Sequence, residues 1–160
     1  MLSMRVGIGY DIHALRKGRK LVLGGVSIPY PKGLAGHSDG DALFHAVVDA
    51  ALGAAGLGDI GAHFSDTDRR WRGASGAVFA RNTVQLLKKG RLKAVQIDSI
   101  LVLEEPKLLR YKDAMRLNLA RAFGLKTGQV NVKAKTNEGF GDIGKKRAIA
   151  AYAVVTVRGL

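Results

Sequence analysis

Asp11 and His13 are separated by a single residue. On a β-strand, positions i and i+2 face the same way, so this carboxylate and this imidazole can reach one point. His45 follows in the first turn of a stretch with helical character. One Asp and two His, in a chain without cysteine, suit Zn²⁺ with a fourth position left open, as in a catalytic metal site. Asp-x-His alone equally describes a hydrogen-bonded pair at a strand end.

Two other clusters point to phosphate. His37-Ser38-Asp39-Gly40-Asp41 leads into the helical stretch that holds His45. A helix start offers free N–H groups and a favourable dipole to an anion, and His37 and Ser38 can both donate. Ser38, Asp39 and Asp41 are equally good helix caps. Asp59-Ile60-Gly61 and Asp66-Thr67-Asp68 carry the same ambiguity. Lys133-Ala134-Lys135-Thr136-Asn137-Glu138 combines cations, a hydroxyl and a carboxylate beside Gly139 and Gly141. That set could hold a phosphate chain with a Mg²⁺ ion, or be a basic strand running into a turn. Gly7-Ile8-Gly9 opens like a dinucleotide fingerprint, but Ile12 stands where the third glycine is required, which excludes it. His63 has no nameable partner and reads as surface or packing.

The elements that must position these groups are mixed α and β. Met4–His13 reads as a strand. Leu21–Leu23 and Val26–Ile28 flank Gly24-Gly25 as a hairpin, and Pro29, Pro31 and Gly33 mark a loop. Ala42–Ala55 reads as a helix closed by Gly56, and Asp59–Phe64 as a short turn. Ser75 is suited to cap a helix through Leu87 that stops at Gly90. Residues 95–103 alternate as a strand. Leu108, Lys112, Met115, Leu119 and Phe123 mark a helical stripe ended by Gly124. Val130–Lys135 reads as another strand, and the apolar run Ile149–Val157 as a central one.

With 160 residues, 47% hydrophobic and 24% charged, the chain is expected to form one domain over residues 1–160, with no membrane span and no secretory leader. A cytoplasmic location is the expectation. Formal charge is +13, and it is uneven. Residues 1–68 hold six Lys/Arg and seven acids, all seven Asp; residues 69–160 hold twenty Lys/Arg and six acids. Asp suits caps, turns and metal sites better than helix surfaces, so these carboxylates read as placed. The basic half suggests an anionic substrate or nucleic acid. Only 6% of residues are aromatic, with no basic–aromatic interleaving of the stacking kind, which argues against a nucleic-acid module. A metal-dependent phosphoesterase using water is the other alternative.

The runs Gly9-Tyr10-Asp11-Ile12-His13, Gly24-Gly25-Val26-Ser27-Ile28-Pro29 and His37-Ser38-Asp39-Gly40-Asp41 through His45 together resemble the 2-C-methyl-D-erythritol 2,4-cyclodiphosphate synthase family. Leu57-Gly58-Asp59-Ile60-Gly61, Asp66-Thr67-Asp68, Pro106-Lys107 and Thr136-x-Glu138 extend the resemblance over essentially the whole chain. It implies a metal-dependent phosphorus–oxygen lyase of non-mevalonate isoprenoid biosynthesis. That enzyme converts a cytidine diphosphate ester of methylerythritol 2-phosphate to the cyclic diphosphate and CMP. The implied fold is α+β, a four-stranded mixed sheet with helices on one face, assembled as a homotrimer with active sites between subunits. The resemblance implies Asp11, His13 and His45 as Zn²⁺ ligands and Glu138 as the Mg²⁺ or Mn²⁺ ligand. His37 and Thr136 are implied as stabilisers of developing charge, and Ser38 as a contact to the 2-phosphate or erythritol side.

Further substrate contacts are implied at Ile12, Asp59, Ile60 and Gly61, and in a loop of Phe64, Ser65, Asp66, Thr67 and Asp68. The cytidine pocket is implied at Leu103, Pro106, Lys107, Leu108 and Leu109. Lys135, Asn137, Asp142 and Lys145 complete the implied contacts. The departures are these: Ser65 replaces a usual proline, Asp142 a common aromatic and Arg147 a usual glutamate. Lys145 also stands where arginine is common, and lysine lacks the bidentate fork.

Overall fold

Two glycines decide how closely the first helix approaches the first strand. In the computed structural model, which describes residues 4–160, strand β1 spans Met4–Lys17 and helix α1 spans Ala42–Ala55. A Cβ on Gly7 would stand 2.1 Å from the Ala50 carbonyl oxygen, and one on Gly9 2.0 Å from that of Ala46. Helix backbone therefore rests directly on strand backbone. Moving up β1 from Gly7 to Gly9 moves down α1 from Ala50 and Ala54 to Ala46, so the next same-face strand residue, Asp11, meets His45.

The remaining elements are β2 (Leu21–Leu23), β3 (Val26–Ile28), β4 (Lys32–Leu34), α2 (Ile60–His63), α3 (Gly76–Lys89), β5 (Leu92–Val102), α4 (Lys112–Phe123), β6 (Val130–Lys135), α5 (Gly141–Gly144) and β7 (Ala148–Gly159). The main sheet is mixed, with order β4-β1-β7-β5-β6. Only β5 and β6 run parallel; the other neighbours are antiparallel. β7 is central, as its apolar run suggests. β2 and β3 form the expected hairpin. The main sheet has five strands, not four. β1 continues past His13 to Lys17, and Lys32–Leu34, read as loop from its prolines and glycine, folds back to pair with Leu15–Lys17. A three-residue edge strand has too little periodicity to be legible.

Helices cover one face. The core includes Leu101, Ile149 and Val155 from the sheet, Phe44, Val47 and Leu52 from α1, and Met115 and Leu119 from α4. The α4 stripe is as expected, but Leu109–Tyr111 forms a separate 3₁₀ turn before the helix. The other sheet face is bare. Val6 and Ile8 are 66% and 74% exposed, and Tyr10, Ile12, Tyr152 and Val154 continue the apolar surface.

Five early aspartates accept backbone N–H groups. Asp41, fully buried, caps α1 through Phe44 N–H and also takes Gly24 N–H (2.9 Å) and Gly25 N–H (2.7 Å), clamping the hairpin turn to the helix start. Burial, reinforced by the charge of Asp39, raises its pKa to about 6, against the pull of those three donors. Asp39 accepts Gly76 N–H at 3.0 Å, so it caps α3; Ser75, the expected cap, makes no side-chain capping bond. Asp49 holds Ile60 N–H, Asp59 caps α2, and Asp68 caps the turn at Arg69–Trp71.

Gly9→Ala tests the close approach. The added methyl meets helix backbone, which cannot rotate away, so the substitution is expected to cost about 1–3 kcal/mol and to weaken the metal binding expected at Asp11, His13 and His45. A denaturant midpoint with a metal titration checks both; an unchanged midpoint would refute the contact.

Candidate active site

Asp11 Oδ2 lies 2.8 Å from His13 Nε2 and 3.0 Å from His45 Nδ1, and the two ring nitrogens are 3.2 Å apart. β1 supplies the first two from one face; α1 brings the third because the glycines lower it onto the strand. The outer nitrogens fix the rings. His13 Nδ1 sits 2.6 Å from the Ala35 carbonyl oxygen, which can only accept, so Nδ1 carries the hydrogen. His45 Nε2 sits 3.1 Å from Ser38 Oγ, which can accept likewise. Both inner nitrogens then carry lone pairs, aimed at each other and at a carboxylate. A cation fits that convergence, and the partners at Ala35 and Ser38 are the kind that orient metal-bound imidazoles.

Where no cation sits there, protons take its place between these atoms. Burial opposes ionisation of Asp11, but hydrogen bonds from His13 and His45 outweigh it and hold the pKa at about 2. Burial disfavours a charged His13, yet the Asp11 carboxylate overrides it and raises that pKa.

A cavity of about 420 Å³ opens beside the three ligands. His37, Ser38, Ile60, Gly61, Phe64, Ser65 and Asp66 line it with His13 and His45, as expected. Gly36, Trp71 and Phe79 also line it and were not expected. Phe79 packs edge-on to His45 at 5.6 Å, and Trp71 edge-on to Phe64 at 5.2 Å. Phe79 reads as core on a helix face and Trp71 lies in a basic turn, so nothing in the sequence marked either for the cavity. The His37 carbonyl accepts Gly73 N–H, tying the 65–75 loop to the ligand cluster. Ser65, in place of a proline, keeps that loop locked: its hydroxyl accepts Thr67 N–H and bonds the Thr67 hydroxyl at 2.8 Å. Asp68 is committed to Arg70 at 2.6 Å, and Ile12 lies on the bare sheet face.

The other expected residues gather elsewhere. Leu103, Pro106, Lys107, Leu108, Lys135 and Thr136 line a second, smaller cavity of about 70 Å³. Leu109 lies beyond it, exposed, with Pro106 and Lys107. Glu138 sits in the turn after β6, its carboxylate bonded by the Thr136 hydroxyl. Asn137 and Gly139, on either side, donate their N–H groups to Glu104, a residue no motif singled out. Lys145 is exposed at the end of α5, and Asp142 and Arg147 pair with each other at 3.5 Å across that turn. The two departures from the family pattern thus answer one another. Asp11 stands opposite Ala151, Ala151 opposite Leu101, and Leu101 opposite Ala134. Three strand spacings, roughly 14 Å, separate the two cavities' anchor points within one chain.

Fold and site together define an α+β domain with a three-ligand cluster fitted to a metal at the mouth of a cavity. The YgbB family model matches residues 4–158, and the chain belongs to that family. It is 50% identical over 154 residues to the 2-C-methyl-D-erythritol 2,4-cyclodiphosphate synthase of Alkaliphilus metalliredigens, covering 96% of this chain and 97% of the relative. A solved 2C-methyl-D-erythritol-2,4-cyclodiphosphate synthase with CDP bound superposes with a TM-score of 0.87 at 42% identity, covering 94% and 98% of the two chains. The bifunctional IspDF from Campylobacter jejuni superposes with a TM-score of 0.90 at 37% identity; the whole of this chain matches 43% of that one. Among the described residues no helix is long and apolar enough to cross a membrane.

His45→Ala removes the Nδ1 donor together with the ring's contacts to Ser38 and Phe79, and is expected to abolish metal binding while the strand–helix framework is kept. Metal analysis and circular dichroism check this. Protons compete with the metal for His13, whose pKa is raised, so acidification through the imidazole range should release the ion and return to neutral pH should restore it. Metal content that does not change across that range would contradict the ligand role of His13.

Proposed function

We propose that this chain converts 4-diphosphocytidyl-2-C-methyl-D-erythritol 2-phosphate to 2-C-methyl-D-erythritol 2,4-cyclodiphosphate with release of CMP, in non-mevalonate isoprenoid precursor synthesis. The observation that carries the reading is the convergence of Asp11, His13 and His45 beside a cavity lined by His37 and Ser38. It is an enzyme, a phosphorus–oxygen lyase. A 2-phosphate oxygen bonds to the β-phosphorus, and the bond from that phosphorus to the bridging oxygen breaks, so CMP leaves with the electron pair. The attacking oxygen is already anionic, so positioning and charge neutralisation carry the catalysis rather than a strong base.

Asp11, His13 and His45 hold Zn²⁺, and Glu138 holds Mg²⁺ or Mn²⁺. Bound there, such ions neutralise phosphate charge and polarise phosphorus–oxygen bonds. His37 and Thr136 donate to oxygens that gain charge in the transfer. Ser38 orients His45 and contacts the 2-phosphate or erythritol side. Asp59, Ile60 and Gly61, with the loop from Phe64 to Asp68, hold the erythritol and ribose. Leu103 to Leu109 takes the cytosine, with Lys107 on phosphate, and Lys135, Asn137, Asp142 and Lys145 complete the surround.

The active enzyme is a homotrimer. Two features support this: the wide apolar face of β1 and β7, and the separation of the ligand cluster from the Thr136–Glu138 turn across three strand spacings. A neighbouring copy covers the face and brings its turn to this copy's metal. The cytoplasm is its place, and nucleic acid is not its partner.

Phosphorus NMR of the reaction tests the activity: cyclic diphosphate and CMP should form, stop with a chelator and resume with added metal. A linear hydrolysed product would instead favour a phosphoesterase. Mixed assembly tests the shared site. His45 and Lys107 variants, each inactive, should recover part of the activity as verified hybrids, because some interfaces then combine two intact halves. No recovery would overturn the between-subunit site.

A further inference from the structure

Glu104 stands at the end of β5, between Leu103 and the strap that runs to Leu109. Its Oε1 accepts Asn137 N–H at 2.7 Å and Gly139 N–H at 3.3 Å. These residues flank Glu138, whose φ of 51° lies in the left-handed region. A non-glycine residue keeps that conformation only where its surroundings hold it. An acceptor oxygen that takes both neighbouring N–H groups supplies such a hold. Leu103 N–H also donates to the Lys135 carbonyl at 2.9 Å, which extends the β5–β6 pairing to the residue before the turn, so strap and turn start from one fixed point. Glu104 and Thr136 line the same small cavity as Pro106 and Lys107.

We propose that Glu104 is a positioning residue that locks the 136–139 turn to the 103–109 strap, so that cation binding at Glu138 and nucleotide binding at the strap are coupled. The inference rests on Glu138 being the ligand of the second cation. Glu104 acts through an acceptor oxygen, not through its charge. That distinguishes it from a third cation ligand.

The test compares wild type, Glu104→Ala, Glu104→Gln and Glu138→Ala. The readouts are the Mg²⁺ concentration for half-maximal turnover, CDP affinity with and without Mg²⁺ by calorimetry, and hydrogen exchange at the Asn137 and Gly139 amides. Glu104→Ala should raise the Mg²⁺ requirement by about 10- to 100-fold, the usual cost of losing a residue that orients a ligand. It should also shrink the gain in CDP affinity that Mg²⁺ brings, and expose both amides to exchange, while the metal at Asp11, His13 and His45 stays stoichiometric. Glu104→Gln should restore all three readouts, because its amide oxygen accepts the same two N–H groups. Glu104→Met, of similar length and without an oxygen, serves where the alanine variant does not fold. A Gln variant as defective as Ala would overturn the proposal in favour of direct charge. An Ala variant with normal Mg²⁺ response beside a defective Glu138→Ala would overturn it alone. A normal Glu138→Ala would overturn the second-cation reading and this inference with it.

Discussion

The contact between α1 and β1 at Gly7 and Gly9 is the constraint on which the rest of the structure depends. Main chain touches main chain there, with no side chain to absorb an error in spacing. The helix is placed by hard contact, and interiors packed this tightly transmit position instead of damping it. The benefit appears two residues further along the strand, where Asp11 and His13 meet His45 at 3.0 and 3.2 Å. A larger residue at either glycine would lift the helix, and the three ligand atoms would no longer share a point.

Aspartate is the second device of the N-terminal half. Its short side chain reaches its neighbours' backbone N–H groups without the rotamer freedom of glutamate. Asp41 joins the hairpin to α1, Asp39 joins the same loop to α3, and Asp49 joins α1 to α2. The segment His37–Asp41 is therefore held from both ends by its own carboxylates, which leaves His37 and Ser38 free to face the cavity. Capping and site function, which look like rival readings of that motif, are divided among its residues: Asp39 and Asp41 cap, while Ser38 orients a ligand.

The sheet holds the Asp11–His13–His45 cluster and the Thr136–Glu138 turn at a fixed separation. Asp11 and Ala134 lie on one cross-sheet row, on strands β1 and β6, so no side-chain motion within one chain can bring the Thr136–Glu138 turn to the ligand cluster. The bare apolar face on β1 and β7 is far larger than scattered surface hydrophobics require. Both features support the proposed association with further copies. The basic half of the chain fits the proposed reading, since Lys107 and Lys135 line the second cavity, where the proposed polyanionic substrate needs cations.

By itself the sequence determined the helices and the long strands, because their apolar periods of 3.6 and 2 and their glycine stops are local properties. It also determined the ligand types, since strand periodicity alone puts Asp11 and His13 on one side. Motifs that match the family singled out most of the residues that line the two cavities. Only the tertiary structure decided what those residues do together. The Gly7-Ile8-Gly9 run, rejected as a nucleotide motif, is a close-approach device, and that depends on which helix lies above it. β4 exists only because β1 overruns its readable end. Trp71 and Phe79 belong to the cavity and Glu104 to the Glu138 turn because partners distant in sequence arrive there. Hydrogen bonds and contacts between distant segments leave no period and no local signature, so they become legible only when the chain is folded.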